Sequence, residues 1–106
     1  MLEHATTTFT VESPVWRTVD NWAGEYGYRL VDWQATSRVY EKKHRIMRGY
    51  GCWRVEIDET GHHVELGADV CFRALSPPGP GRDGFLLKAR AEVNALLADL
   101  GQPPLD

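Results

Sequence analysis

With 106 residues, the chain has room for one domain around one hydrophobic core. Hydrophobic residues make up 42% of it, including four Trp and four Tyr, enough to build a real core. A formal charge of −3 leaves no basic footprint and argues against general nucleic-acid binding.

The opening "MLEHATTTFT" lacks the charged start and apolar run of a secretory signal. No stretch reaches the roughly 18 apolar residues of a membrane span. A soluble, cytoplasmic chain is therefore expected. Thr6 to Val11 is β-branched and reads as a first strand. Ser13 then offers an N-cap oxygen, and Pro14 fits a first helical turn, where its missing N–H is not needed. Val15, Val19, Trp22 and Tyr26 recur at helical spacing, and Gly27 supplies a left-handed stop, which predicts a helix of roughly twelve residues. Tyr28–Gln34 and Ser37–Lys43 are short strands, and "HRIMRGYG", His44 to Gly51, is expected to reverse the chain.

"CWRVEIDETGHHVEL", Cys52 to Leu66, alternates on both sides of a turn. Trp53, Val55, Ile57, Val64 and Leu66 form its apolar face. A two-residue Thr60-Gly61 loop keeps that face coherent, placing Ile57 opposite Val64 and Val55 opposite Leu66. The second strand runs on through Ala68, Val70 and Phe72. "SPPGPGRDG", Ser76 to Gly84, reads as a loop or tether. Phe85 to Leu100 reads as a final helix that stops at Gly101. Its core stripe is Leu86, Val93, Leu96, Leu97 and Leu100, and Lys88, Arg90, Glu92 and Asp99 lie mostly elsewhere.

The order is β-α-β-β-β-β-α, and every element has a single apolar face. Such elements close a core when both helices cover the same face of one antiparallel sheet, a single α+β domain over residues 1–106. The nearest familiar arrangement is the TATA-binding-protein-like saddle, which also underlies lipid-binding helix-grip domains; that analogy concerns shape alone.

"VDNWAGEYGYRLVDWQATSRVYEKK" and "KARAEVNALLADLGQPPL" together resemble segments of small uncharacterised bacterial proteins. Those proteins share a Trp-Ala helix, a Gly-Tyr entry into a strand, and a C-terminal helix ending in Gly-Gln-Pro. The resemblance covers less than half of the chain. It implies a shared fold and no catalytic residue.

Three groups of side chains are candidates for function. Lys42, Lys43, His44, Arg45 and Arg48 form a basic segment suited to an anion, an acidic headgroup or an acidic partner surface. As a charged hairpin end the same segment keeps a strand edge soluble. Trp16 and Trp33, with Tyr28, Tyr40 and Tyr50, are candidate pocket-lining aromatics. His63, Glu65 and Asp69, joined by Glu56, alternate as metal ligands do, but a solvated sheet face explains them better. Cys52 and Cys71 lie on separate strands without metal-type spacing and read as reduced, partly buried thiols.

Pairing either cysteine with His63 or His44 gives no recognisable nucleophile turn or oxyanion donor, and no dinucleotide or Walker glycine pattern occurs. The expectation is therefore a non-enzyme with no catalytic residue, cofactor or metal. The leading reading is an interaction module that docks on another protein or forms a homodimer. The alternative is a small-ligand or lipid carrier with a cleft between the C-terminal helix and the sheet.

Overall fold

The computed structural model describes residues 4–46, 49–74 and 80–105. Its elements are β1 (His4–Thr10), α1 (Trp16–Tyr26), β2 (Arg29–Trp33), β3 (Ser37–Ile46), β4 (Gly49–Thr60), β5 (His63–Ala74) and α2 (Pro80–Asp99). The five strands form one antiparallel sheet in the order β1-β5-β4-β3-β2. The expected α+β class and β-α-β-β-β-β-α order are those found.

Strand alternation decides which residues meet the helices. Trp53, Val55, Ile57, Val64, Leu66 and Ala68 are buried together with Val15, Val19, Trp22 and Ala23 of the α1 region. Ala89, Val93, Leu96 and Leu97 of α2 join the same cluster. Both helices thus cover one face of the sheet, and the opposite face carries Arg54, Glu56, His63 and Glu65. No helix among the described residues is long and apolar enough to cross a membrane.

The central hairpin differs from the expected register. Its loop is Gly61-His62, so Ile57 faces Leu66, Val55 faces Ala68, and Glu59 faces Val64. Gly61 has φ 63°, and no non-glycine residue among those described has a positive φ. Glycine with positive φ at the first turn position and a negative φ at the second is the type II′ pattern, which suits the twist of a hairpin. A Thr60-Gly61 loop would have put threonine in that position. The slip is two residues, so every side chain stays on its expected face.

The ends of several elements also move. Ser13 does not cap α1: the cap residue is Val15, no side chain of its own closes the turn, and the Val15 N–H donates instead to Glu59 Oε2 at 3.0 Å. Gly27 stops α1 as expected, with φ 79°. β3 pairs with β4 as far as Ile46↔Gly49, leaving no room for a reversal spread over 44–51. α2 begins at Pro80, so the second half of the expected tether is helical. Proline is tolerated there because a first-turn residue needs no N–H partner. The stripe residues Val93, Leu96 and Leu97 are buried, but so is Glu92, which the sequence had placed away from the core. The side chain of Leu86 lies outside the described residues.

After Gly101 the tail folds back along α2. Leu105 N–H donates to Asn94 Oδ1 at 2.7 Å, and Arg90 Nη2 donates to the Leu105 carbonyl at 2.9 Å.

Candidate functional site

β3 sends alternate residues in opposite directions. Arg38, Tyr40 and Lys42 pair in register with Ile57, Val55 and Trp53, so they share the helix-covered face. Lys42 therefore enters the interior, where α2 presents Glu92 one turn from Ala89 and Leu96. The Lys42 ammonium donates to Glu92 Oε1 at 2.7 Å, with side-chain exposures of only 17% and 5%.

Aromatic rings wall this ion pair. Trp22 and Tyr28 stack with centroids 4.3 Å apart, and Tyr28 meets Trp53 edge-on at 5.9 Å. Lys42 Nζ lies 5.5 Å from the Tyr28 ring centre and 5.2 Å from that of Trp53, within cation–π range of both. Trp22 Nε1 donates to the Glu92 backbone carbonyl at 2.8 Å, fastening α1 to α2. The Tyr28 hydroxyl and Glu92 Oε2 are buried and have no hydrogen-bond partner among the described residues. Burial, reinforced by the nearby charge of Glu92, pushes the Tyr28 phenol well above its ordinary pKa, so it stays a neutral donor.

A second polar cluster joins α1 to β3. Tyr40 donates to Asp20 Oδ1 at 2.7 Å, and Arg38 Nη1 reaches Asp20 Oδ2 at 3.2 Å. The Arg38 guanidinium also sits 4.6 Å from the Trp16 ring centre. Burial is the main cause that pushes the Tyr40 phenol up to about 12. With these bonds satisfied, the cluster works as a fastener between helix and sheet.

Of the basic segment, the two lysines with described side chains part company across the sheet. Lys42 is paired inside, whereas Lys43 faces Cys52 across the strands on the open side of the sheet. Arg48 lies outside the described residues, as do the side chains of His44, Arg45 and Tyr50, whose backbones belong to β3 and β4. Of the aromatic candidates, Tyr28 and Tyr40 are buried, Trp16 is half-buried against Arg38, and Trp33 is 68% exposed.

On the open face, Glu65 faces Asp58, Asp69 faces Arg54, Glu56 faces Gly67 and His63 faces Thr60. Asp69 also pairs with His4 Nδ1, and Arg54 Nε donates to Glu41 Oε2 at 2.7 Å. That bond from Arg54 holds the Glu41 carboxyl below its usual range. Among the described residues, no three His, Cys, Asp or Glu side chains are grouped to hold a metal. Cys52 faces Cys71, and His63 sits at the turn at the far end of the same hairpin.

A groove of about 320 Å³ runs between the Thr10–Val15 segment and the end of α2 at Asp99, Leu100 and Gln102. None of the aromatic candidates lines it. At the opposite side, β2 is an edge strand with all five residues exposed. A bulge at Val31 shifts its register between Leu30 and Asp32, so Leu30 and Trp33 share the helix side while Arg29 and Asp32 share the open side.

Reading charge as a marker of the wet side hid both Glu92 and the inward role of Lys42. The available signal was spacing: Glu92 lies three residues after Ala89 and four before Leu96, on the buried stripe.

No protein-family model and no curated protein matches the chain. Among solved structures, the crystal structure of the Zhui aromatase/cyclase from Streptomyces sp. R1128 is similar over 92% of this chain and 86% of that one. The identity is 16% and the TM-score 0.29, a likeness too distant to carry any argument.

Proposed function

We propose that the chain binds a small, largely aromatic or apolar molecule with one polar group between α2 and the sheet. The observation that carries this reading is the buried cluster of Tyr28, Lys42 and Glu92, whose Tyr28 hydroxyl and Glu92 Oε2 have no partner among the described residues. A buried polar atom without a hydrogen bond costs about 1–3 kcal/mol, and native interiors rarely hold one without a ligand, a water or a chemical role. A ligand carrying a donor and an acceptor satisfies both atoms, while Trp22 and Trp53 supply flat apolar walls. Native mass spectrometry of the gently purified chain tests this. A stoichiometric small molecule, lost or weakened by Tyr28→Phe, is expected. A chain that flies bare and shows no change in Trp fluorescence with anilinonaphthalene sulfonate as probe would sink the reading.

A second reading, self-association, is favoured by the exposed edge of β2. Antiparallel pairing of two copies through β2 sets Arg29 of each opposite Asp32 of the other and covers Leu30, Val31 and Trp33. Five residues a side fall short of the ~1,000 Å² of a stable interface, so the dimer would be weak and concentration-dependent. Sedimentation equilibrium should show self-association that Asp32→Arg removes and that Arg29→Asp combined with Asp32→Arg restores. A strict monomer at millimolar concentration excludes it.

A further inference from the structure

We propose that Cys52 and Cys71 are an oxidation site, closing into a disulfide that clamps β4 to β5. The two cysteines of the chain are direct cross-strand partners in an uninterrupted register that runs from Gly49↔Ala74 to Thr60↔His63. Directly opposed residues of an antiparallel pair have Cα atoms about 4.5–5.5 Å apart, inside the ~4.4–6.8 Å that a disulfide spans. Opposed residues also share a face of the sheet, so no strand has to twist to bring them together. A one-residue slip in the hairpin would destroy this arrangement.

Access favours the reaction as well. Cys52 is a free, half-buried thiol on the face that neither helix covers. An oxidant reaches it without opening the core. Burial, and then the charge of Glu41, raise the Cys52 thiol above its ordinary pKa. Thiolate is therefore scarce near neutrality, and the reaction should accelerate as pH rises.

The co-reactant is an oxidised low-molecular-weight thiol. The Cys52 thiolate attacks one sulfur of the small disulfide, forming a mixed disulfide and releasing one small thiol. The Cys71 thiolate then attacks the Cys52 sulfur and releases the second. The protein loses two hydrogens and two electrons, and one small disulfide becomes two thiols.

The test is incubation of the full chain with oxidised glutathione, read by intact mass, thiol titration and peptide mapping. Expected are the loss of two hydrogen masses, a fall in titratable thiols from two to none, and a peptide joining Cys52 to Cys71. The oxidised chain should melt about 10 °C higher than the reduced one, because the bridge restrains the unfolded hairpin. Cys52→Ser and Cys71→Ser should each show no such gain and should stop at a glutathione adduct. Wild-type chain that yields only glutathione adducts, only intermolecular dimers, or unchanged thiols overturns the proposal. The outcome is independent of whether the Tyr28–Lys42–Glu92 cluster binds a ligand.

Discussion

Replacing Lys42 by Met isolates the electrostatics of the interior, because methionine keeps a flexible stem against the Tyr28 and Trp53 rings. The Glu92 side chain would then remain at 5% exposure with the only described partner of its carboxylate removed. Breaking a buried pair from one side costs about 3–5 kcal/mol, and the 17% exposure of Lys42 puts this case near the lower end. A loss of about 3 kcal/mol is a large share of the stability of a small domain and should lower its melting temperature by roughly 15 °C. Urea unfolding followed by the fluorescence of buried Trp22 and Trp53 measures it directly. The loss should persist in 1 M salt, since buried pairs are poorly screened. Lys42→Met combined with Glu92→Leu should recover most of it, because an apolar replacement leaves no charge stranded. A single variant that costs less than ~1 kcal/mol, or a double variant as unstable as the single one, would refute the buried-pair argument.

Leu96→Ala should cost about 2–5 kcal/mol, as Leu96 is fully buried; unchanged melts at two protein concentrations would contradict a packed α2. Glu59→Ala should cost about 1 kcal/mol in urea unfolding by removing the acceptor of the Val15 N–H, and no loss would show that α1 needs no cap from β4. Gly61→Val should cost about 1–2 kcal/mol and Gly61→Asn less, because the φ of 63° strains a β-branched residue although nothing crowds the added Cβ; equal losses would point to another cause. Tyr28 and Tyr40 have folded pKa values raised above the unfolded one, so their stabilisation is complete below pH 10 and is lost as pH rises, for Tyr40 toward about 12. Ultraviolet titration of the chain against Tyr28→Phe and Tyr40→Phe should show both phenols still protonated beyond pH 10 until the chain unfolds, and either phenol ionising near 10 in the folded chain would contradict its burial.

Faces were easier to read from the sequence than partners. The alternation through Trp53, Val55 and Ile57 fixes which side of β4 is buried whatever it pairs with. A register slip of two leaves that alternation unchanged, so only the conformation of Gly61 distinguishes the real hairpin from the expected one. The start of α2 was obscured by Pro80, Gly81 and Gly84, whose weak helix propensity did not prevent a 20-residue helix. The candidate site was the least legible part. Lys42 and Glu92 are each unremarkable as surface charges, and their burial makes sense only once a contact across 50 residues brings them together.

The placement of β1 beside β5 has a kinetic consequence. β2, β3, β4 and β5 follow one another as neighbours and can zip together from their turns. β1 finds its partners, from Thr10↔His63 to His4↔Asp69, only after half the chain has been drawn into a loop. α1 waits with it, since its first turn is tied to Glu59 at the far end of β4. The meander should thus form early in folding, and the N-terminal edge should close late. Contacts of Thr7 and Phe9 with β5 should therefore set how fast the domain opens more than how fast it forms.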